Sequence, residues 1–99
     1  MAELRVSQSM RVKTLQNEFK HRFGATLRVY KGQHFADKET RLGDLSEAAS
    51  GTFICKRGLI VEDFEKAFFE KFGVKVQVAT PDNSALSKND ATLVAAGKC

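Results

Sequence analysis

The sequence predicts an α+β fold made from two copies of one strand–helix–strand unit, and three observations carry that prediction. The apolar positions Val12, Leu15, Phe19 and Phe23 reappear as Val61, Phe64, Phe68 and Phe72, each shifted by 49 residues. Both series run into a glycine, Gly24 and Gly73. The same offset relates the flanking segments: Leu27-Arg28-Val29 matches Val76-Gln77-Val78, and Leu4-Arg5-Val6 matches Phe53-Ile54-Cys55. Any two amphipathic helices share a spacing, but strand, helix, glycine and second strand here share one offset.

Taken in order, strands are expected at about 3–7, 26–31, 52–56 and 74–79, where apolar and polar residues alternate or an apolar run is short. Helices are expected at about 10–23 and 61–72, because the steps of 3, 4 and 4 between apolar residues keep one helical face. A glycine just past each helix supplies the left-handed residue that ends it. Ser9 is a candidate cap for the first helix, whereas Arg57-Gly58 offers the second no side-chain cap. Asp44-Leu45-Ser46-Glu47 has capping-box spacing with Gly51 beyond, which predicts a short helix near 44–50. Thr80-Pro81-Asp82-Asn83 reads as a turn.

Two such units in series give βαββαβ, the order of a ferredoxin-like sandwich. Right-handed crossovers would then put both main helices on one face of a four-stranded antiparallel sheet. Residues 32–51 are too long for a hairpin loop, so they must hold structure of their own. An alternative α+β arrangement makes residues 40–43 and 91–94 a further pair of equivalent strands. Their leucines, Leu42 and Leu93, are 51 apart, so the second copy has gained two residues. The 99 residues are expected to form one domain spanning 1–99, with the repeat covering 3–45 and 52–96.

The 42% apolar and 28% charged fractions are those of an ordinary globular chain. No apolar run is long enough to cross a bilayer and the N-terminus lacks a signal-peptide pattern, so a cytoplasmic location and no membrane contact are expected. Cys55, inside an apolar run, is expected to be a buried thiol, and Cys99 to be a mobile terminal one. The net charge of +4 is uneven: residues 1–35 carry +5, residues 36–60 carry zero and residues 61–99 carry −1. Such asymmetry fits an anionic partner, or a basic half covered by an acidic one.

Few constellations carry chemistry. His21, His34, Cys55 and Cys99 lack the spacing of a structural zinc site, so no metal is expected. Nucleotide-binding glycine loops and nucleophile motifs are also missing, which predicts no cofactor and no enzyme activity. Glu62, Asp63, Glu65 and Glu70 read as a solvated acidic helix face rather than acid–base machinery. Cys55-Lys56-Arg57-Gly58 precedes the second helix, where free amides, the helix dipole, Lys56 and Arg57 could receive an anion. A nucleic-acid surface would draw on Arg11, Lys13, Lys20, Arg22, Arg28 and Lys31, with Tyr30 and Phe35 as the stacking candidates. Phe69 lies off the apolar face, opposite Lys20 of the first copy, and its exposure would mark a partner contact or a homodimer.

The pattern Phe23-Gly24…Val29-Tyr30-Lys31-Gly32…Phe35-Ala36-Asp37, with Asp82-Asn83-Ser84…Asn89-Asp90-Ala91-Thr92-Leu93 in the second copy, resembles small uncharacterised bacterial proteins. That resemblance spans most of the chain and implies no activity and no site residues. The function expected from the residues is a non-catalytic binding or regulatory module for a protein or anionic partner. The alternatives are a nucleic-acid-binding domain using the basic first half, and a small enzyme.

Overall fold

The computed structural model describes residues 2–55 and 58–97 and is a mixed α+β structure. Its elements run β1 (Ala2–Val6), α1 (Val12–Phe23), β2 (Thr26–Lys31), β3 (His34–Phe35), α2 (Leu42–Leu45), β4 (Gly51–Cys55), α3 (Val61–Phe72), β5 (Val76–Ala79) and α4 (Leu93–Ala96). No helix among the described residues is long and apolar enough to cross a membrane.

The two long helices form where the apolar spacing places them, and each ends on a left-handed glycine, Gly24 (φ 81°) and Gly73 (φ 71°). The N-terminus of α1 differs from expectation, while α3 lacks a side-chain cap as expected. Ser9 is not the cap: the cap positions are Arg11 and Ile60, and neither makes a side-chain cap bond. Backbone carbonyls from downstream segments do the capping instead. Val12 and Lys13 donate to Thr40 and Lys38, at 2.9 and 3.1 Å. Val61 and Glu62 donate to Ala91 and Asn89, at 2.8 and 3.0 Å. With these orphan amides satisfied by tertiary contacts, no capping side chain is needed in either place.

The short helix near 44–50 lies earlier, at Leu42–Leu45, and the expected capping box is not used. Leu42 N–H bonds the carbonyl of Met10 and Gly43 N–H that of Gln8, which fixes the start two residues upstream of Asp44. Gly51 opens β4 rather than stopping a helix. The 32–51 segment does hold structure of its own, in β3 and α2. At 40–43 and 91–94 the equivalents Arg41 and Thr92 make single bridges, to Arg11 and Ile60, before the chain turns into α2 and α4.

A ferredoxin-like sheet is not confirmed, because the described strands pair as two separate sheets, β1-β4 and β3-β2-β5. β1 pairs antiparallel with its own copy β4, and β2 with its own copy β5. Leu4 faces Phe53 in one sheet and Arg28 faces Gln77 in the other. Both pairs differ by the repeat offset of 49. An antiparallel pair of equivalent residues is what a twofold axis through that pair produces, so one approximate axis relates the halves through both sheets. Strands exchanging partners across the axis, β2 with β5, cannot both lie at opposite edges of a single sheet.

The core lies between the helices and the inner strand faces. Leu4, Val6, Phe53 and Cys55 face in from β1-β4, and Leu27, Val29, Val76 and Val78 from β2-β5. Phe19 of α1 meets Phe64 of α3 with ring centroids 5.3 Å apart, and Phe64 also contacts Phe53 (5.5 Å) and Phe68 (5.6 Å). Leu42 and Leu93, at the starts of α2 and α4, are both buried. What remains outside on the β3-β2-β5 sheet is the alternating opposite face: Arg28, Tyr30, Lys75, Gln77 and Phe35.

Candidate functional site

The alternation that buries Leu27 and Val29 turns Arg28 and Tyr30 outward. Register then decides their neighbours. Tyr30 lies opposite Phe35 on β3, and its amide donates to the carbonyl of Lys75. Residues opposite each other in an antiparallel pair project to the same face, so Arg28, Tyr30, Phe35, Lys75 and Gln77 share one side.

The Tyr30 and Phe35 rings are 5.2 Å apart with their planes inclined at 30°. Each ring also carries a cation. The Arg28 guanidinium lies 5.9 Å from the Phe35 centroid, and Lys75 Nζ 5.4 Å from that of Tyr30. Phe35 is 64% exposed. The face is held in place by polar ties: Tyr30 Oη donates to Gln77 Oε1, and Arg28 Nε donates to Asn83 Oδ1 at 2.7 Å. Arg28 Nη2 also donates to the Asn83 carbonyl, at 3.1 Å. Asn83 itself is positioned by a turn in which Asp82 accepts from Thr80 and Ser84. Those donors hold the Asp82 carboxyl down at about 2.

The basic residues singled out in the sequence do not gather into one patch. Arg11 and Lys13 both pair with Glu39, the lysine at 2.7 Å, and these two cations hold its carboxyl below the usual range. Lys20 donates to the Pro81 carbonyl at 2.6 Å, and Arg22 lies 3.7 Å from Glu18. Arg28 joins the aromatic face, and Lys31 lies at the end of β2 in a cleft it shares with Tyr30, Asp44 and Lys75. Lys56 and Arg57 lie outside the described residues. The first amides of α3, offered by the sequence to an anion, already bond Ala91 and Asn89.

Phe69 is 53% exposed on α3. It borders the same cleft as Tyr30 and, on its other side, an open groove of about 520 Å³ along the edge of β5. In that groove Glu65 is half-buried and accepts from the Val78 amide at 2.8 Å. Burial pushes its carboxyl up, against the Val78 bond and with help from Glu62. Elsewhere the Cys55 thiol is buried, which raises it to about 11 and leaves it a poor nucleophile. Among the described residues no three His, Cys, Asp or Glu side chains are grouped to hold a metal ion.

The sequence offers Arg28, Lys31, Tyr30 and Phe35 to one nucleic-acid surface, together with Arg11, Lys13, Lys20 and Arg22 that lie elsewhere, and Lys75 and Gln77 are not among those residues. The signal for those two was present: with Val76 and Val78 inward, the odd positions 75 and 77 must face out. Comparison with known proteins finds no match to a family model, a curated protein or a solved structure.

Proposed function

We propose that this protein is a non-catalytic binding module that holds an anionic chain bearing planar rings, of the single-stranded nucleic-acid kind, on the outer face of β3-β2-β5. The observation that carries the reading is the Tyr30–Phe35 ring pair with Arg28 over one ring and Lys75 over the other. Bases stack on exposed aromatic rings, and cations beside those rings meet the phosphates. None of the five side chains on this face is acidic. The two halves differ here in the relevant way. The pair equivalent to Tyr30 and Phe35 is Ala79 and Leu86, bridged in the same manner without a ring.

The chain has one tyrosine and no tryptophan, so its intrinsic fluorescence reports Tyr30 alone. Titration with a short single-stranded oligonucleotide at low salt should quench that emission, and the affinity should fall steeply as salt is raised. Phe35→Ala removes a stacking ring that is exposed, and should weaken binding by about 1–3 kcal/mol with the fold unchanged. Lys13→Ala, on the Glu39 side, should change it little. Absence of quenching and of retention on immobilised oligonucleotide at low salt would rule the reading out.

A further inference from the structure

We infer that the cleft between the end of β2, α2 and α3 takes one guanine base of the bound strand, read by the Asp44 carboxylate. The inference rests on the ring-bearing face holding a strand, and adds which base of that strand is recognised.

The cleft has a volume of about 260 Å³, just below the roughly 300–1,000 Å³ of pockets for drug-sized ligands, which suits a single base. Tyr30, Lys31, Asp44, Phe69 and Lys75 line it. Lys75 also stands over the Tyr30 ring, so the cleft adjoins the ring-bearing face. Phe69 supplies an exposed aromatic wall. Asp44 is held there by the backbone of α2, whose Leu42 and Gly43 amides donate to Met10 and Gln8. At its other end α2 seats on Gly73, where a Cβ would fall 2.5 Å from Ser46 Oγ.

The same place in the other half serves as an internal comparison. The offset of 49 relates Tyr30, Lys31, Gly32, Phe69 and Lys75 to Ala79, Thr80, Pro81, Lys20 and Thr26, and the offset of 51 relates Asp44 to Ala95. There Lys20 Nζ and Thr26 Oγ1 both donate to the Pro81 carbonyl, at 2.6 and 3.1 Å, and tie that loop down. Phe69 has no such donor and Lys75 Nζ lies over Tyr30, so Gly32, the equivalent of Pro81, lines an open cleft instead. The tied place has neither a ring nor an acid.

Hydrogen-bonding chemistry names the base. Lys31, Lys75 and Asp44 line one cleft, yet none of the three makes an ion pair among the described residues. The lysines suit phosphate. A carboxylate beside them repels phosphate, so its use there is to accept N–H groups from a base. An ionised carboxylate has two acceptor oxygens and no donor. The Watson–Crick edge of guanine presents two adjacent donors, N1–H and the N2 amino group, which match both oxygens. Adenine and cytosine present one amino group beside an acceptor nitrogen, and thymine and uracil one N–H between two carbonyls. Each of these sets a lone pair against the carboxylate. In a single strand that edge is unpaired and open to reading.

The test measures dissociation constants by Tyr30 fluorescence at low salt. The ligands are a thymine-only oligonucleotide, the same strand with one guanine, adenine or cytosine substituted, and guanosine monophosphate alone. One guanine should tighten strand binding by at least about fivefold, and adenine or cytosine should not. Asp44→Ala should abolish that preference while the thymine strand binds as well as before or better, because a negative charge near the phosphates is gone. The Asp44 side chain makes no hydrogen bond among the described residues, so circular dichroism should show the fold unchanged. Strand binding without a guanine preference, or with one that survives Asp44→Ala, overturns the inference and leaves the proposed function standing. Failure of every strand to bind removes that function; Asp44-dependent binding of guanosine monophosphate would then keep the cleft as a site for a free nucleotide, and its absence overturns the inference as well.

Discussion

Phe64 is the side chain whose loss should be felt most. It is fully buried, and its ring touches Phe19 from the first half and Phe53 and Phe68 from the second, at 5.3, 5.5 and 5.6 Å. Truncation to alanine forfeits the transfer free energy of the ring and leaves a cavity between three aromatic neighbours that cannot collapse without moving both helices. Such a change costs about 3–5 kcal/mol, out of a total that for a small domain is roughly 5–15 kcal/mol. With a sensitivity of about 4–8 °C per kcal/mol for a chain of this size, the melting temperature should drop by at least about 12 °C. Urea unfolding followed by far-ultraviolet circular dichroism and by Tyr30 fluorescence measures the loss. Phe35→Ala is the internal control: an exposed ring whose removal should cost no more than about 1.5 kcal/mol, the upper value of one aromatic pair. A Phe64→Ala protein that unfolds within about 1 kcal/mol of wild type, or that is more stable than Phe35→Ala, would refute this account of the core.

Two further outcomes follow from the comparison of the halves and from their packing. Glu65 has a carboxyl raised by burial, so the folded state binds its proton more tightly than the unfolded chain does. Its contribution is therefore present at low pH and lost as pH rises through the raised pKa. Glu65→Gln, which installs the Gln16 arrangement, should unfold at a higher urea midpoint than wild type near neutral pH, and the gap should close below about pH 4.3; a gap that widens on acidification would contradict the assignment. Gly97→Ala tests the seat of α4 on the end of α1, since a Cβ there would fall 1.7 Å from the Phe23 carbonyl oxygen. It should cost about 1–3 kcal/mol by overpacking, and an unchanged thermal midpoint would show that α4 does not sit there.

The residues fix some of this structure by local rules and leave the rest open. Helix α3 was legible because Val61, Phe64, Phe68 and Phe72 satisfy a 3.6-residue period within one segment, whatever lies around it. All four are buried. The caps were not legible. Val12 and Val61 find their acceptors at Thr40 and Ala91, 28 and 30 residues away, and nothing in either short segment names the other. For the candidate site, alternation put Arg28, Tyr30, Lys75 and Gln77 on outward positions, but only register could bring Lys75 to Tyr30 and Arg28 to Gln77.

By itself, then, the sequence determined the two helices, the inward-facing apolar set and the offset of 49 between its halves. Those follow from periodicity, which is a property of a segment alone. The tertiary structure decided which strands pair, and it paired β1 and β2 each with its own copy, at Leu4–Phe53 and Arg28–Gln77. It also decided that Phe69 stays exposed beside a groove while its equivalent, Lys20, is tied to the Pro81 carbonyl. Pairing and closure depend on groups distant in the chain competing for the same hydrogen bonds, and that competition is settled only when the halves meet.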